Sequence, residues 1–595
     1  MAGATVERFD FDARAVERWS RGDRRHLNWP VVYVIDDMGA GSVPGARASV
    51  YVGESLSAAT RMKQHLDAEN KRGLRTVRVV IDDEFNKSVC LDLEAYLIGL
   101  FSGDDAHRVI NLNVGVRDAD YFQREWYRQQ FREVFEALRA EGLFSRSLPE
   151  IENSSLFKLS PFKALSDDQA VAVEGILEGL FQDLADGTDS TIVIQGSPGT
   201  GKTVVAIYLM KVLLDIARTY TDDDVDQDGL FVEFFASGYR DLLHDFRIGL
   251  VVPQQSLRAS IKAVFAKTPG LRPAMVLSPF EVGKATERYD LLIVDEAHRL
   301  SQRANQPSGP QNAMFREITE RLFGFDDVTR TQLDWVRAQS RHAVFLVDGD
   351  QSVRPADLPA VAIERLVAEA RGDARWYPLM SQMRVAAGAD YVQYVREVLT
   401  GRPGVRPQTF EDYDLRFYDD LGAMRDAVRR RDDTHSLARL VAGYAWDWVS
   451  KKDATAYDIA IDGVRLRWNS ADKDWISSAA SVDEVGSIHT VQGYDLNYAG
   501  VIIGPELRYD PHTGRLFVDR ESYRDRKGKE NNPTLGLTYT DDDLLRYVVN
   551  IYGVLLTRGM LGTYVYVCDP GLREYLRAYV RRPVVTSGIE ARSTG

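Results

Sequence analysis

The segment Gly196-Ser197-Pro198-Gly199-Thr200-Gly201-Lys202-Thr203 fits the pattern G-x-x-x-x-G-K-[ST]. The strand-like run TIVIQ precedes it and the helix-like run VVAIYLMKVLL follows it. No other feature constrains the fold as strongly. A strand, a glycine-rich turn and a helix must meet so that backbone amides converge on phosphate oxygens at a helix N-terminus. In that arrangement Lys202 reaches the β- and γ-phosphates of a nucleoside triphosphate, and the Thr203 hydroxyl holds Mg²⁺. The expected cofactors are ATP and Mg²⁺.

A second segment, YDLLIVDEAHRL (289–300), reads as a strand whose carboxyl end presents Asp295 and Glu296. Asp295 is placed to hold the Mg²⁺ shell and Glu296 to orient and deprotonate water. Gln169, one helix upstream of the loop, is a candidate for reading the adenine edge or a plain structural glutamine. The apolar runs TIVIQG, IGLVVP, LLIVDE and HAVFLVDGD alternate with helix-like stretches, which suits strands buried on both faces of a parallel sheet.

Taken in order, these motifs resemble superfamily 1 helicases, and most closely the DUF2075 (Schlafen group 3-like) helicase-related ATPases, over residues 160–575. By that resemblance VVPQQSLR (251–258) corresponds to motif Ia, which touches a nucleic-acid strand. VDGDQS (347–352) corresponds to motif III, with Gln351 as γ-phosphate sensor. PLMSQMRV (378–385) corresponds to motif IV, offering Arg384 from the second lobe. SIHTVQGYDLNYAGVIIG (487–504) corresponds to motif V, and NIYGVLLTRGMLGTYVYVCDP (550–570) to motif VI, with Arg558 as a second arginine finger. One departure is Gly553, where relatives commonly carry a basic residue. Trp468 and Trp475 flank NSADKD as candidates either for base stacking or for a hairpin core.

Residues 31–113 carry a fainter pattern. VVY (31–33) and YVG (51–53) are strand-like, joined by a Gly-rich connection. In SLSAATRMKQHLD (55–67), Ser57 is a candidate helix cap, and Arg61 and His65 share a face at i and i+4. DLEAYLIGLF (92–101) is an apolar helix pattern holding the acid Glu94, and Asn111 and Asn113 follow. This set resembles the GIY-YIG nuclease domain over residues 28–140. The resemblance implies that Tyr33 and Tyr51 face a scissile phosphate, that Arg61 steadies its charge with His65 beside it, that Glu94 holds Mg²⁺ or Mn²⁺, and that Asn111 or Asn113 braces the site. Val31 replaces the first glycine of the family signature, and the loop between the tyrosines is longer than usual.

The fold class expected is α/β. A small mixed GIY-YIG-like domain (1–150) precedes two RecA-like parallel-sheet lobes (151–375 and 376–595), with the polar, Pro149-containing segment 141–160 as linker. Of 595 residues, 44% are apolar and 27% charged, which excludes a disordered or fibrous chain. Two cysteines, Cys90 and Cys568, support neither a disulfide framework nor a Cys-rich zinc site. No uncharged apolar run reaches a membrane span's length and no signal peptide is evident, so a cytoplasmic protein is expected.

The net charge of −14 argues against coating nucleic acid non-specifically and directs any such contact to local basic stretches such as KRGLRTVR (71–78). The acidic stretch 221–229 reads as a solvated loop tip. The two resemblances together imply an ATP-dependent nucleic-acid-processing enzyme that combines a metal-dependent GIY-YIG endonuclease with a superfamily 1 helicase or translocase and cuts DNA in bacterial antiphage or genome defence. The alternatives are a DNA-repair factor, an RNA- or tRNA-targeting factor, or an ATPase switch whose nuclease-like domain only binds.

Overall fold

The computed structural model describes residues 4–38, 47–112, 118, 120–218, 229–303, 306, 308–348, 353–401, 404–470, 475–491 and 495–580. Asn113, Gln351 and all but the last residue of the acidic stretch 221–229 lie outside the described residues.

Near the amino terminus, β-branched runs form β1 (Thr5–Asp10), β2 (Val31–Asp36), β3 (Ala48–Ser55), β4 (Thr76–Ile81) and β5 (His107–Val109). They make one mixed sheet in the order β1-β4-β2-β3-β5, antiparallel except where β3 meets β5. The period of two sorts its side chains between two cores. Val32, Val34, Val50 and Val52 pack with Val89, Cys90 and Leu93 of the helix Lys87–Asp104. Val31, Tyr33, Ile35 and Tyr51 pack with Ala58 and Met62 of the helix Ala58–Asp67. Ser57 takes the N-cap position of that second helix, but its side chain makes no capping bond.

The segment 141–160, expected as a linker, is instead a folded strap with short helices Leu148–Glu152 and Ser155–Lys158. Two glycines of the helix Lys87–Asp104 seat it. A Cβ at Gly103 would lie 2.8 Å from the Ile151 side chain and 2.9 Å from Phe157, and one at Gly99 would lie 3.2 Å from Phe157. Polarity in this stretch belongs to its caps and outer face, while Ile151 is fully buried.

Beyond the strap, β6 (Ser190–Gly196), β7 (Ile248–Val251), β8 (Val276–Leu277), β9 (Tyr289–Val294), β10 (Ser340–Val347) and β11 (Trp376–Leu379) form a parallel sheet in the order β11-β6-β10-β9-β7-β8. The lobe boundary expected at 375/376 therefore falls at the start of a strand of this sheet, since Leu379 registers with Gly196. The next elements are β12 (Asp414–Phe417), β13 (Ala438–Ala442), the hairpin β14–β15 (Ile459–Ile461, Val464–Leu466), β16 (Val485–Ser487), β17 (Leu496–Ile503), the hairpin β18–β19 (Leu507–Asp510, Arg515–Val518) and β20 (Gly559–Val567). Outside the hairpins they form a second parallel sheet, β12-β20-β17-β13-β16. The chain is α/β throughout. The two parallel-sheet bodies touch where Asn532 Nδ2 donates to the Arg303 carbonyl at 3.0 Å and Tyr539 Oη to the Pro355 carbonyl at 3.2 Å.

Trp468 and Trp475 belong to the interior, at 0% and 1% exposure. Their indole N–H groups donate to the Trp446 carbonyl and to Glu484, so neither is presented to a base. Within 71–78, Lys71 and Arg78 are likewise buried, Arg78 against Asp36 and Glu141, which leaves Arg72 and Arg75 at the surface.

Gly53 sits opposite Tyr33 across the β2–β3 ladder, and a Cβ there would collide with the Tyr33 ring. That ring is buried and tethered by its hydroxyl, so it has little room to yield. Gly53→Ala is expected to destabilise the amino-terminal domain by about 1–3 kcal/mol, an overpacking cost read as a lowered urea midpoint.

Candidate functional site

The parallel order of the first sheet brings the carboxyl ends of β6, β9 and β10 to one edge, where open α/β sheets form their crevice. The loop after β6 turns through Gly199 (φ +87°) and Gly201 (φ +77°), conformations that a side chain would resist. The helix Lys202–Arg218 starts directly behind it. Gly196 and Gly199 are also sites of close approach, since a Cβ would meet Thr200 at the first and Gln382 at the second. Lys202 Nζ donates to the loop's own Gly196 and Ser197 carbonyls at 2.7 and 3.0 Å and lies 3.6 Å from Asp348. Thr203 Oγ1 donates to Asp295 Oδ2 at 2.7 Å.

Asp295 is fully buried, and its Oδ1 accepts the Glu296 N–H at 2.9 Å. Burial, then the neighbouring Glu296 charge, push its carboxyl well above the usual carboxylate range. A carboxylate so disfavoured, with a hydroxyl on the same oxygen, is a donor set that a divalent cation would relieve, so the residues fit Mg²⁺. Glu296 adopts φ +49°, a left-handed conformation costly for a non-glycine residue. His298 Nε2 stands 3.1 Å from its Oε2 and His298 Nδ1 accepts the Asp348 N–H at 3.3 Å. Burial alone would raise the Glu296 carboxyl, but His298 and then Lys202 outweigh it and hold it below the usual carboxylate range.

Gln169 is the third residue of the helix Asp167–Asp186, where it closes a capping box on Ser166. Its Oε1 accepts the Ser166 N–H at 3.2 Å and its Nε2 donates to the Thr200 carbonyl at 2.9 Å. Both ends of the amide are thus engaged by protein, which makes Gln169 a brace of the loop rather than a free adenine reader. The preceding Asp168 accepts the backbone N–H groups of Met380 and Ser381.

Arg384 does not come from the second sheet. It lies on the segment connecting β11 to the second body, where Met383 N donates to the Gly199 carbonyl and Gln382 Nε2 to Pro198. Its Nε donates to Asp495 at 2.5 Å. Arg558, at the end of the helix Asp541–Leu556, is 2% exposed, and burial and then Arg384 lower its guanidinium to about 9. Asp495 is held at about 2: burial would raise it, but Arg384, Lys158 and Arg558 prevail. The pairing of Asp495 with Arg384 and the buried bridge through His298 were missed by sequence reasoning, because neither follows a spacing rule.

In the amino-terminal domain Tyr33 Oη lies 2.8 Å from His65 Nε2, and Lys71 Nζ lies 2.8 Å from His65 Nδ1 and 3.8 Å from the centre of the Tyr51 ring. A lysine can only donate, so Nδ1 accepts and Nε2 carries the imidazole proton toward Tyr33. Arg61 shares the helix of His65 and bonds Gln64. Asn111 fastens β3 by pairing with both the N–H and the carbonyl of Val52. Glu94 rides on the helix against the opposite face of the sheet, near Cys90. The structure therefore gathers Tyr33, Tyr51 and His65 around an unforeseen Lys71, with Arg61 bearing on His65, and Glu94 belongs to the helix on the other side of the sheet. Among the described residues no group of three or more His, Cys, Asp or Glu side chains is arranged to hold a metal.

Burial first, then Lys71 and Arg61, lower the His65 imidazole from 6.5 to about 2. The folded state therefore binds fewer protons than the unfolded chain. Stability from this group is complete above about pH 6.5 and falls with acidification at up to about 1.4 kcal/mol per pH unit. Urea titrations at pH 7.5 and 5 are expected to show this loss in the wild type and a flatter profile in His65→Gln.

Residues 189–569 match the family model described as Schlafen group 3, DNA/RNA helicase domain. An uncharacterized protein of Saccharomyces cerevisiae, YPL245W, is 26% identical over 466 residues, spanning 72% of this chain and 93% of its own. Among solved structures, a Pif1 helicase from Bacteroides in complex with ADP-AlF3 and ssDNA shows 8% identity, 65% coverage of this chain and 91% of its own, at a TM-score of 0.23. A DEAD box protein from Methanococcus jannaschii shows 11% identity, 70% and 95% coverage, at 0.22. The fold class rests on the two parallel sheets themselves. With more than half of its residues, the P-loop and Asp295–Glu296 among them, inside the matched region, the chain belongs to the Schlafen group 3 DNA/RNA helicase family.

Proposed function

We propose that the protein is an ATP-driven motor that acts on nucleic acid. The observation that carries this reading is the crevice in which Lys202, Thr203, Asp295 and Glu296 of the first sheet meet Arg384 and Arg558. Bound Mg²⁺–ATP would supply the scissile phosphoanhydride and a cation that offsets phosphate charge. Thr203 and Asp295 hold the cation, and Lys202 leaves its loop carbonyls for phosphate oxygens. Glu296, kept ionised by His298, accepts the proton of the attacking water. Arg384 and Arg558, approaching from the connecting segment and the second body, counter the charge that develops on the transferring group. Because Arg558 and the P-loop belong to different bodies, hydrolysis becomes relative movement of those bodies. Gln351 completes the reading as γ-phosphate sensor.

Glu296→Gln and Arg558→Ala are each expected to lower nucleic-acid-stimulated ATPase turnover by about 10²–10³-fold, Arg558→Ala with ATP binding largely retained. Lys202→Ala abolishes binding. A steady-state phosphate-release assay decides, and near-wild-type turnover in Glu296→Gln would end the proposal.

A second reading concerns the amino-terminal domain. The Lys71–His65–Tyr33 chain beside Tyr51 and Arg61 supports a metal-dependent phosphodiesterase of the GIY-YIG kind, with Mg²⁺ or Mn²⁺ at Glu94. DNA is the favoured substrate and RNA the alternative, in a cytoplasmic defence setting against foreign DNA. Tyr33→Phe and Glu94→Ala are expected to reduce Mg²⁺-dependent cleavage of single-stranded, duplex or branched DNA at least about 100-fold while ATPase turnover is kept. Cleavage unaffected by either substitution would leave a binding-only domain.

A further inference from the structure

The cavity that contains the P-loop has a wall that no helicase motif supplies. It encloses about 1050 Å³. Lys202, Thr203 and Glu296 line one side, and Arg384, Asp495 and Arg558 a second. The third is the strap between the amino-terminal domain and the first parallel sheet, which contributes Phe157 and Lys158, together with Lys163 just past its end.

Among the described residues neither strap ammonium has a hydrogen-bond or ion-pair partner. The acid that bears on both, Asp495, is already engaged by Arg384. Burial lowers Lys158 below its ordinary range and Lys163 to about 8. Lys163 Nζ stands 5.8 Å from the centre of the Phe157 ring, so its surroundings are apolar where they are not shared with Asp495. Two partly desolvated cations facing a loop that binds polyphosphate are short of an anion, and charge-assisted hydrogen bonds to phosphate are the strongest compensation on offer.

The strap is not an isolated loop. Ile151 and Phe157 are seated on Gly99 and Gly103, Tyr96 Oη donates to Glu152 at 2.9 Å, and Asn497 Nδ2 of the second sheet lies 3.3 Å from Asn153 Oδ1. Lys267, from the helix Gln255–Lys267 beside the first sheet, pairs with Asp105 at 2.9 Å. Any group held by Lys158 and Lys163 is therefore held by an element built into the amino-terminal domain.

We propose that Lys158 and Lys163 are nucleotide-binding residues, so that one nucleoside triphosphate is gripped at once by the P-loop, the arginines and the strap of the amino-terminal domain. This rests on the nucleotide reading of the P-loop. The occupant is the nucleotide's phosphate chain rather than a nucleic-acid backbone, because both lysines open into the same cavity as Lys202 and Thr203. Occupancy of the cleft thereby sets how firmly the amino-terminal domain is docked.

The test uses the full chain and ATPγS with Mg²⁺. Lys158→Gln and Lys163→Gln are each expected to weaken ATPγS binding several-fold, and the double variant at least about 10-fold. The KM for ATP should rise in parallel, turnover at saturating ATP should stay within about threefold, and Lys158→Arg should restore affinity. ATPγS should also slow amide exchange across residues 148–164 in the wild type but not in Lys202→Ala. That arm decides even if the double variant folds poorly.

Wild-type affinity in a folded double variant would overturn the proposal. So would an affinity loss confined to single-stranded DNA or RNA, which would place the lysines on a strand path. No ATPγS binding by the wild type would instead bring down the nucleotide reading itself.

Discussion

A hydrogen bond from Thr203 to the buried Asp295 joins two parts of the chain that are 92 residues apart, and the rest of the crevice is arranged around it. Their strands, β6 and β9, are not neighbours, because β10 lies between them. The contact exists since parallel strands deliver all their carboxyl ends to the same edge, where the glycine turn brings the first residues of the next helix within reach of the Asp295 side chain. Its environment is the more telling part. A carboxyl with no exposure, lifted by burial and by an adjacent acid, is an unfavourable object in a resting core. It is retained where a cation can relieve it, which is why the bond reads as a site and not as a staple.

The same balance of charge extends across the crevice. Arg384 and Arg558 bear on one another as well as on Asp495, and burial depresses Arg558 below the ordinary range of a guanidinium. Such a group gains more from a polyanion than a solvated arginine would, because its desolvation is already complete. A net charge of −14 is compatible with this arrangement, since local lysines and arginines such as Lys202, Arg384 and Arg558 line the cleft. The exterior can stay acidic, which disfavours indiscriminate binding along a phosphate backbone.

How much of this was legible in the sequence depends on how local each cause is. GSPGTGKT and VDEAH are legible because short contiguous segments carry both the chemistry and the backbone geometry. The alternation of strand and helix patterns likewise predicts parallel sheets, which the structure contains. What the sequence concealed depends on distant partners. Arg384 looked like a second-lobe residue, yet the register of Leu379 with Gly196 ties the start of its segment to the first sheet. The polar strap 141–160 looked like a linker, because the glycines that seat it lie on another helix about 50 residues earlier. Trp468 and Trp475 were open to base stacking or a hairpin core, and only their packing decides for the interior. Lys71 drew attention only as surface charge, whereas it is buried against His65.

These concealed contacts share a consequence for how the chain works as a whole. The amino-terminal sheet carries two cores on opposite faces, one behind the tyrosines and His65, the other behind the helix Lys87–Asp104. The strap is seated on that helix, and the helix also carries Glu94. A pull on the strap from the nucleotide cleft would therefore act first on the layer that bears the acid, leaving the Tyr33–His65–Lys71 layer across the sheet comparatively undisturbed. Two close-packed layers on one rigid sheet transmit small displacements rather than absorb them. Docking of the strap on that helix is thus a physical route by which a displacement at the cleft can reach the layer that carries Glu94.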